Sequence, residues 1–240
     1  MAQTVFLCLL GLLFGWQSVE AKSCYPDLAQ AALAGVLDGP FLSGTTLEAL
    51  TFGDGYRVTC ALQVENWTRY NLSNPVIHMN HGQISKAPPA TIDSGYREVT
   101  VTRKTSGTAT GTSGTVSWEV EGLDRRVYLM WSAPFNFDFY SNWLGVGVSA
   151  PGYTGHPGGD DLFEQMYNHG DSDTIKFERK KFNGDMTPVK FGDKDIQLYG
   201  TMVNSHEAIG KVSIRPVDLA DLADDVRAHL CDKNGNPLVG

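Results

Sequence analysis

Hydrophobic residues between positions 56 and 216 alternate with polar residues, mostly with a period of two, and glycine, proline and asparagine interrupt the alternation. A period of two is typical of strands that bury one face, and the interruptions indicate turns. Many short strands joined by turns predict a mostly β protein, either a sandwich or a barrel. The predicted strands are YRVTCALQVEN, YREVTVTRKT, GTVSWEVEG, RRVYLMWSAP, WLGVGVSA, TIKFERKKF and GKVSIRPV.

The stretch from residue 27 to residue 50 changes to helical spacing and is amphipathic. Its glycines and its proline oppose a rigid helix in water. The pattern therefore predicts either a helix that forms conditionally or a short surface helix followed by a loop. As one helix, about 24 residues would extend about 36 Å, enough for a hydrocarbon layer of about 30 Å. Its apolar positions are Leu33, Val36, Leu37 and Phe41.

Two later stretches also have helical spacing. Residues 158–168 (GGDDLFEQMYN) predict an internal helix capped by Asp160 or Asp161. Residues 216–230 (PVDLADLADDVRAHL) predict a third helix capped by Asp218. We expect the third helix to pack against the domain, because its apolar stripe is narrow. The apolar positions are Leu162, Phe163 and Met166 in the internal helix, and Leu219, Leu222, Val226 and Leu230 in the third.

Composition narrows the class of protein. A chain of 240 residues suffices for one good-sized domain or two small ones, and 42% hydrophobic with 19% charged residues is typical of a globular protein. The formal charge of −8 argues against a nucleic-acid partner, because phosphate binding needs a basic surface. The same charge provides no long-range attraction to anionic lipids.

The first 21 residues have the pattern of a secretory signal peptide. They contain a short apolar core, and the small residues Val19 and Ala21 precede the expected cleavage point. The mature chain is therefore expected to begin at Lys22 and to be secreted. Two N-glycosylation sequons, NWT at Asn66 and NLS at Asn71, agree with export.

Cysteine pairing is left open by the sequence. Cys8 lies in the predicted signal peptide, and the remaining cysteines are Cys24, Cys60 and Cys231. Secretion permits disulfides, but three cysteines allow three pairings and leave one thiol over in each. None of these pairings is favoured by the sequence.

Motifs for catalysis are absent from the sequence. It contains no GxSxG, HExxH or P-loop motif, and its six histidines are scattered. The pairs Asp171/Asp173 and Asp193/Asp195 lack the rest of a calcium loop, so we interpret them as solvated turns. We therefore expect a protein that is not an enzyme and that uses no cofactor and no metal ion.

One stretch, SAPFNFDFYSNW at residues 132–143, is unusually aromatic. Pro134 cannot donate to a strand ladder, so it predicts the end of a strand followed by a turn. The polar residues between the rings would need partners inside a core, whereas a surface that exposes Phe139, Tyr140 and Trp143 avoids this cost. Tyrosine and tryptophan also favour the bilayer interface. On these residues alone, a core position and a surface position are equally supported.

Several motifs resemble those of the actinoporins, a family of pore-forming proteins. WSAPFNFDFYSNWLGVGV followed by DLFEQMYN is similar to the membrane-binding region of the family. TATGTSGTVSWEV is similar to one of its strands, and AGVLDGPFLS with LEAL is similar to its N-terminal amphipathic helix. The resemblance extends over residues 34–217 and implies a compact β-sandwich flanked by two α-helices, here with an extra C-terminal helix.

The resemblance also implies a domain organisation. Residues 1–21 would be the signal peptide, and residues 22–51 an amphipathic segment that inserts into the membrane as a helix. Residues 52–216 would form the actinoporin-like β-sandwich, and residues 217–240 a C-terminal helical extension.

The activity implied by the resemblance is that of a soluble, secreted protein that makes pores. It would bind phosphocholine headgroups of phosphatidylcholine or sphingomyelin, associate into a homo-oligomer on the membrane and insert its N-terminal helix. The matching positions are Ser113, Ser132, Pro134, Tyr140, Phe163 and Tyr167 in the headgroup pocket, Phe139 and Trp143 at the membrane interface, and Leu33, Val36, Leu37 and Phe41 in the inserting segment.

Departures from the family pattern favour a second hypothesis. The chain is acidic, it has PGYTGHPGG where the family carries a basic loop, and Phe163 and Asn168 replace two tyrosines of the family pocket. Asn71 is also expected on a strand near the pocket, where a glycan would obstruct lipid. These features favour a non-lytic lipid- or glycan-binding module on the same fold, whereas the N-terminal segment favours the pore.

Overall fold

A computed structural model describes residues 55–230 together with Gly44, Leu47 and Leu50. The predicted signal peptide, Cys24, Cys231 and the apolar positions Leu33, Val36, Leu37 and Phe41 lie outside the described residues. The described strands are β1 (Thr59–Asn66), β2 (Leu72–His81), β3 (Gln83–Lys86), β4 (Arg97–Arg103), β5 (Thr112–Val120), β6 (Arg125–Ala133), β7 (Asn142–Ser149), β8 (Ile175–Phe182), β9 (Val189–Gly192), β10 (Ile196–Met202) and β11 (Glu207–Pro216). The described helices are α1 (Asp161–Asn168), a 3₁₀ helix (Leu219–Asp221) and α2 (Asp224–Leu230).

The strands form two sheets that pack face to face, so the predicted β-sandwich is confirmed. The six-stranded sheet has the order β3-β4-β1-β11-β10-β9, and the five-stranded sheet has the order β2-β5-β6-β7-β8. The core lies between them. Ile196, Leu198 and Met202 alternate along β10 and are fully buried against the ring-rich inner face of the other sheet, to which Trp118 and Trp131 belong.

The first and last strands of the sandwich are neighbours. β1 pairs in parallel with β11, from Thr59 opposite Glu207 to Asn66 opposite Ile214, and antiparallel with β4. Every residue of β1 is buried, so both faces of this central strand are covered.

The outer face of the six-stranded sheet is covered in part by the segment that precedes the sandwich. Leu47 is buried and Leu50 is half-buried, and both pack against apolar side chains of that face. Ala61 of β1 and Val99 and Val101 of β4 form the contact surface. The end of the segment 22–51 therefore rests on the sheet by apolar contact.

Helix α1 lies on the outer face of the five-stranded sheet. Its predicted apolar positions are all buried, and they pack against side chains that include Tyr128 and Phe177. The predicted cap is wrong in detail. Asp160 stands at the N-cap position, but no cap hydrogen bond from its side chain is present in the described part of the chain. Its carboxylate accepts hydrogen bonds from β2 instead.

The single helix predicted over residues 216–230 is wrong. β11 continues to Pro216, and the 3₁₀ helix and α2 follow as two separate pieces. Asp218 caps the first piece by accepting a hydrogen bond from the Ala220 amide at 2.9 Å. The break occurs because the Ala223 amide donates to the Trp67 carbonyl at 2.9 Å, a tertiary bond that replaces a helical one. Leu222, Val226 and Leu230 are buried, as expected for a packing role.

Four strands were not predicted, namely β2, β3, β9 and β10. In β2 the cause is local, because Asn74 adopts a positive φ of 48° and precedes Pro75. The register of pairing with β5 shifts between Ser73 and Val76, which is typical of a bulge. The alternation that indicates a strand is broken at that point.

Candidate functional site

The aromatic stretch forms a loop at one end of the sandwich. β6 ends at Ala133, and Pro134 follows it directly, as the sequence predicts. Residues 134–141, here called the aromatic loop, contain turns and no strand. The side chain of Phe139 is 79% exposed and that of Tyr140 is 60% exposed. Two rings of the stretch are therefore open to solvent.

The other two rings of the aromatic loop hold it to the sandwich. Phe135 and Phe137 are half-buried, and Phe135 packs against the core. The ring of His206 meets Phe137 edge-on with centroids 4.7 Å apart, and its Nε2 lies 2.9 Å from the Phe135 carbonyl oxygen. Asn142 donates a hydrogen bond of 2.7 Å to the Val203 carbonyl, joining the same two loops. The aromatic loop is thus anchored at its base while its tip stays exposed.

Positive charge collects at this end of an otherwise acidic chain. The Arg57 guanidinium lies 4.6 Å from the Phe135 ring centroid, and Lys104 Nζ lies 5.4 Å from the same centroid. Arg103 lies 4.0 Å from the centroid of Tyr56. The aromatic faces attract these cations and so help to hold them in place.

A cavity of about 430 Å³ lies beside the aromatic loop, between α1 and the turn that joins β2 to β3. Its volume is in the range of small-molecule sites, roughly 300–1,000 Å³. All six residues predicted for a headgroup pocket line it. They are Ser113 on β5, Ser132 on β6, Pro134 and Tyr140 in the aromatic loop, and Phe163 and Tyr167 on α1. That these residues bind a headgroup remains a prediction.

Stacked rings form one wall of the cavity. Phe163 and Tyr167 are parallel, with centroids 5.2 Å apart and 13° between the ring planes. Trp143 meets Tyr167 edge-on at 5.7 Å and is half-buried. Burial raises the pKa of the Tyr167 hydroxyl, although a hydrogen bond with Ser132 acts in the opposite direction. Tyr167 therefore keeps its proton at neutral pH and can donate a hydrogen bond.

Polar side chains also line the cavity. Asn80 Oδ1 lies 3.1 Å from Ser113 Oγ, which donates to it, and 2.5 Å from His81 Nδ1. On its other side, Asn80 Nδ2 donates to Asp160 Oδ1 at 3.1 Å. His78 Nε2 lies 3.0 Å from the same carboxylate oxygen. These hydrogen bonds hold the pKa of Asp160 below its ordinary value, so it is a carboxylate at neutral pH.

The sequence analysis missed several residues that line the cavity, among them Asn80, His81 and Glu164. Asn80 and His81 lie at the end of β2, whose pattern is interrupted at Pro75, so that strand was not predicted. Glu164 lies on α1 and accepts a hydrogen bond of 2.5 Å from Asn168, which also lines the cavity. Tyr167 and Asn168 follow Glu164 at helical spacing, and this spacing was the signal that could have placed the acid on their face of α1.

The first glycosylation sequon lies in a structural position. Asn66 is fully buried, and its Nδ2 donates to the carbonyls of Tyr70 at 2.6 Å and Ile92 at 3.1 Å. Its Oδ1 accepts from the hydroxyl of Thr68 at 2.8 Å. Because Nδ2 is the atom that would carry a glycan, the folded chain has no room for one at Asn66.

The second sequon lies far from the cavity, contrary to the expectation from the sequence. Asn71 precedes Leu72, which pairs with Val120, whereas the cavity lies at the other end of the same strand pair, where His81 is opposite Ser113. From Leu72 to His81 a strand extends about 30 Å. Asn71 is half-exposed, so a glycan there would point away from the cavity region.

Two other questions from the sequence are answered by local contacts. Cys60 is a free, fully buried thiol, and burial raises its pKa. Asp193 and Asp195 both form ion pairs with Arg125, at 3.0 Å for Asp195, so they stabilise a loop end by pairing.

Within residues 55–230 and the three earlier described positions, no group of three His, Cys, Asp or Glu side chains is arranged to hold a metal ion. In the same part of the chain, helices fall short of the length and hydrophobicity needed to cross a membrane.

Comparison with known proteins gives several relatives. Tereporin-Ca1 from Terebra anilis is 50% identical over 181 residues, which cover 74% of this chain and 94% of the relative. Conoporin-Cn1 from Conus consors is 36% identical over 234 residues, which cover 96% of this chain and 92% of the relative. A search of protein-family models found no match.

A solved structure supports the fold. The crystal structure of the lipid binding protein Nakanori has a TM-score of 0.54 and 18% sequence identity, and covers 70% of this chain and 75% of that chain. At this identity the likeness concerns the β-sandwich alone.

The sandwich, its aromatic end and these relatives define a class, the actinoporin-like pore-forming proteins. The chain belongs to this family, in which it is similar to the tereporins and conoporins. The relatives are named as porins and toxins and not as enzymes. Their names are compatible with the expectation that this protein is not an enzyme.

Proposed function

We propose that the protein is a secreted cytolysin that binds phosphocholine headgroups of phosphatidylcholine or sphingomyelin in the cavity beside the aromatic loop. It then associates into a homo-oligomer on the target membrane and inserts the segment 22–51. One observation carries this proposal: a ring-lined cavity opens at the same end of the sandwich as the exposed rings of Phe139 and Tyr140.

The chemistry of the cavity suits a choline headgroup. A quaternary ammonium is attracted to aromatic faces, and Tyr140, Phe163 and Tyr167 supply three rings on the cavity wall. Ser113, Ser132 and the tyrosine hydroxyls can donate hydrogen bonds to the adjoining phosphate. The headgroup would thus contact rings through its cation and hydroxyls through its anion.

The tip of the aromatic loop provides the contact with the bilayer interface. Phe139 is 79% exposed beside Tyr140, which is 60% exposed, and adjoining exposed apolar surface of this kind marks sites that meet a protein or a membrane. Tyr140 has an amphipathic ring of the kind that concentrates at membrane interfaces, and Trp143, half-buried on β7 just after the loop, has another. Since the loop is anchored by His206 and Asn142, its tip can enter the headgroup layer without a change in the sandwich.

Insertion depends on the segment 22–51. Leu47 and Leu50 make apolar contacts between its end and the outer face of the six-stranded sheet. Apolar contacts of this kind can be exchanged for the equally apolar bilayer core. Asp38 and Glu48 would face water, which suits a helix that lines a pore.

The alternative is a non-lytic module that binds a lipid or a glycan on the same fold. It is favoured by the acidic charge and by the replacement of family tyrosines at Phe163 and Asn168. The position of Asn71 no longer favours it, because a glycan there lies away from the cavity.

Dye release from vesicles separates the two functions. The full mature chain is added to vesicles of phosphatidylcholine with and without sphingomyelin, and binding is measured by sedimentation of the same vesicles. We expect binding and release with the full chain, and binding without release after deletion of residues 22–45. Binding without release by the full chain would establish the non-lytic module, and loss of binding after the deletion would contradict the division of roles.

A further inference from the structure

The polar wall of the cavity contains an imidazole at a position that a headgroup phosphate would reach. His81 lines the cavity together with Ser113 and Asn80, and the rings that would take the choline line the same cavity. His81 is exposed, so a ligand can approach it. In the described part of the chain, its Nε2 has no hydrogen-bond partner.

The contacts of Asn80 fix which nitrogen of His81 carries the proton in the neutral ring. A carboxylate accepts hydrogen bonds and cannot donate them, so the group that faces Asp160 must be the NH₂ of Asn80. The Asn80 carbonyl oxygen therefore faces His81 Nδ1 at 2.5 Å, and Nδ1 must carry the hydrogen. Neutral His81 then has a bare lone pair on Nε2, which repels a phosphate oxygen.

Protonation changes this nitrogen from an acceptor into a charged donor. Imidazole side chains gain a proton between about pH 8 and about pH 5. Because Nδ1 is already protonated, the proton goes to Nε2, where it adds both an N–H and a positive charge. Hydrogen bonds between charged partners are about twice as strong as neutral ones.

We propose that His81 is the phosphate-binding residue of the cavity and that it binds a phosphodiester only when protonated, so the protein binds phosphocholine lipids more tightly in mildly acidic medium. This inference rests on the proposed function, since it takes the cavity to be the headgroup site. The choline cation does not titrate, so its contacts with the rings are unaffected by pH. The cavity would therefore select a zwitterionic ligand in which a phosphate lies next to a choline cation.

Charged and titratable side chains lie near His81 on α1, on its own strand and on β4. Asp160 at the N-cap of α1 bonds to Asn80, and Glu164 within α1 lines the cavity. His78 lies on the same strand, but its Nε2 bonds to Asp160 and it does not line the cavity. Arg103, on the neighbouring β4, is engaged with Tyr56 and keeps its charge throughout.

The experiment measures binding of two small ligands to the full mature chain at about pH 7.5 and about pH 5.5 by calorimetry. Glycerophosphocholine is a phosphodiester whose single negative charge is constant over this range, and choline chloride lacks the phosphate. We expect glycerophosphocholine to bind about five- to tenfold more tightly at the lower pH, and choline binding to be unchanged. Vesicles of phosphatidylcholine should show the same increase in binding.

Three variants test the assignment. His81→Gln should bind glycerophosphocholine equally at both pH values, and His81→Lys, which is charged at both, should bind it tightly at both. His169→Gln, an exposed imidazole next to cavity residue Asn168 but outside the lining, should keep the pH response of the wild type. Near-ultraviolet circular dichroism confirms that each variant is folded.

The possible failures are distinguishable. Binding of glycerophosphocholine by the wild type with no pH response, or a response that persists in His81→Gln, would overturn the role of His81 and leave the headgroup site intact. Absence of binding at both pH values would overturn the proposed headgroup site, and this inference with it.

Discussion

The ring of Phe163 lies parallel to the ring of Tyr167, one helical turn further along α1, with centroids 5.2 Å apart. Phe163 is nearly fully buried under this stack, whereas Tyr167 presents its ring to the cavity and touches Trp143 on its edge. The buried ring therefore fixes the orientation of the ring that a ligand would meet. This arrangement couples the packing of α1 to the shape of the cavity.

Replacing Tyr167 by alanine is expected to weaken binding of phosphatidylcholine vesicles about tenfold, since cation–π contacts contribute about 0.5–2 kcal/mol. Tyr167→Phe keeps the stacked ring and loses only the hydroxyl, so its binding should stay within about threefold of the wild type. Vesicle sedimentation measures both. Equal binding by Tyr167→Ala and the wild type would show that the ring has no part in the site.

Phe139→Ala should reduce vesicle binding and dye release without changing stability. The side chain is 79% exposed, so its removal should alter the free energy of unfolding by less than about 0.5 kcal/mol. Loss of its burial in the interface should weaken membrane binding by about 1.5–3 kcal/mol. Met186→Ala is a suitable control, because that residue is also exposed and apolar but lies outside the aromatic loop. A similar loss of binding in Met186→Ala would show that the effect is not specific to the loop.

The two sequon asparagines should behave oppositely on substitution. Asn66→Ala should lower the free energy of unfolding by about 2–4 kcal/mol, because several buried partners lose their hydrogen bonds at once. Asn71→Ala should change it by less than about 1 kcal/mol, since its side chain is half-exposed. Urea denaturation measures both, and a glycan mapped to Asn66 in the folded protein would contradict the structural role.

Stability is expected to fall in acid because of His156. Burial, with Arg126 and His78 nearby, lowers the pKa of His156 to about 4. In the unfolded chain a histidine has a pKa of about 6.5. Between about pH 4 and about pH 6.5 the unfolded state therefore binds a proton that the folded state does not. The contribution of His156 is therefore complete above about pH 6.5 and is lost as the pH falls toward about 4. After allowance for solvent at this half-buried ring, it amounts to about 1 kcal/mol.

Urea denaturation at about pH 7 and about pH 5 tests this, with His156→Gln as the variant. The variant loses the hydrogen bond between Nδ1 and Ser117 Oγ, which is 2.7 Å long, so it should be less stable at both pH values. Its free energy of unfolding should nevertheless change less between them than that of the wild type. An equal change in both proteins would exclude His156 as the source.

The strands with unbroken alternation were predictable, and so was the end of β6 at Pro134, because proline cannot donate to a ladder. β2 was not predictable in the same way, since the turn-like pair Asn74 and Pro75 sits inside it as a bulge. β10 alternates clearly from Ile196 to Met202 and was nevertheless overlooked. The break in the last helix depends on a hydrogen bond to Trp67, a contact that no local pattern reveals.

The six headgroup-pocket residues that were predicted from the family resemblance lie together around one cavity. Asn80 and His81 could not be predicted as cavity residues, because their position depends on how β2 pairs with β5. The same pairing decides that Asn71 is remote from the cavity, which the sequence analysis had expected to be near it. Because β2 was not predicted, the sequence could not show which end of the sandwich Asn71 and His81 each reach.

The parallel pairing of β1 with β11 has a consequence for biosynthesis. β1 is synthesised first, but it cannot pair with β11 until residues 207–216 have been synthesised, because the two strands are adjacent in the sheet. Contacts between such distant parts of a chain form late and slowly. The six-stranded sheet therefore cannot be completed before residues 207–216 have emerged from the ribosome, however early β1 is made.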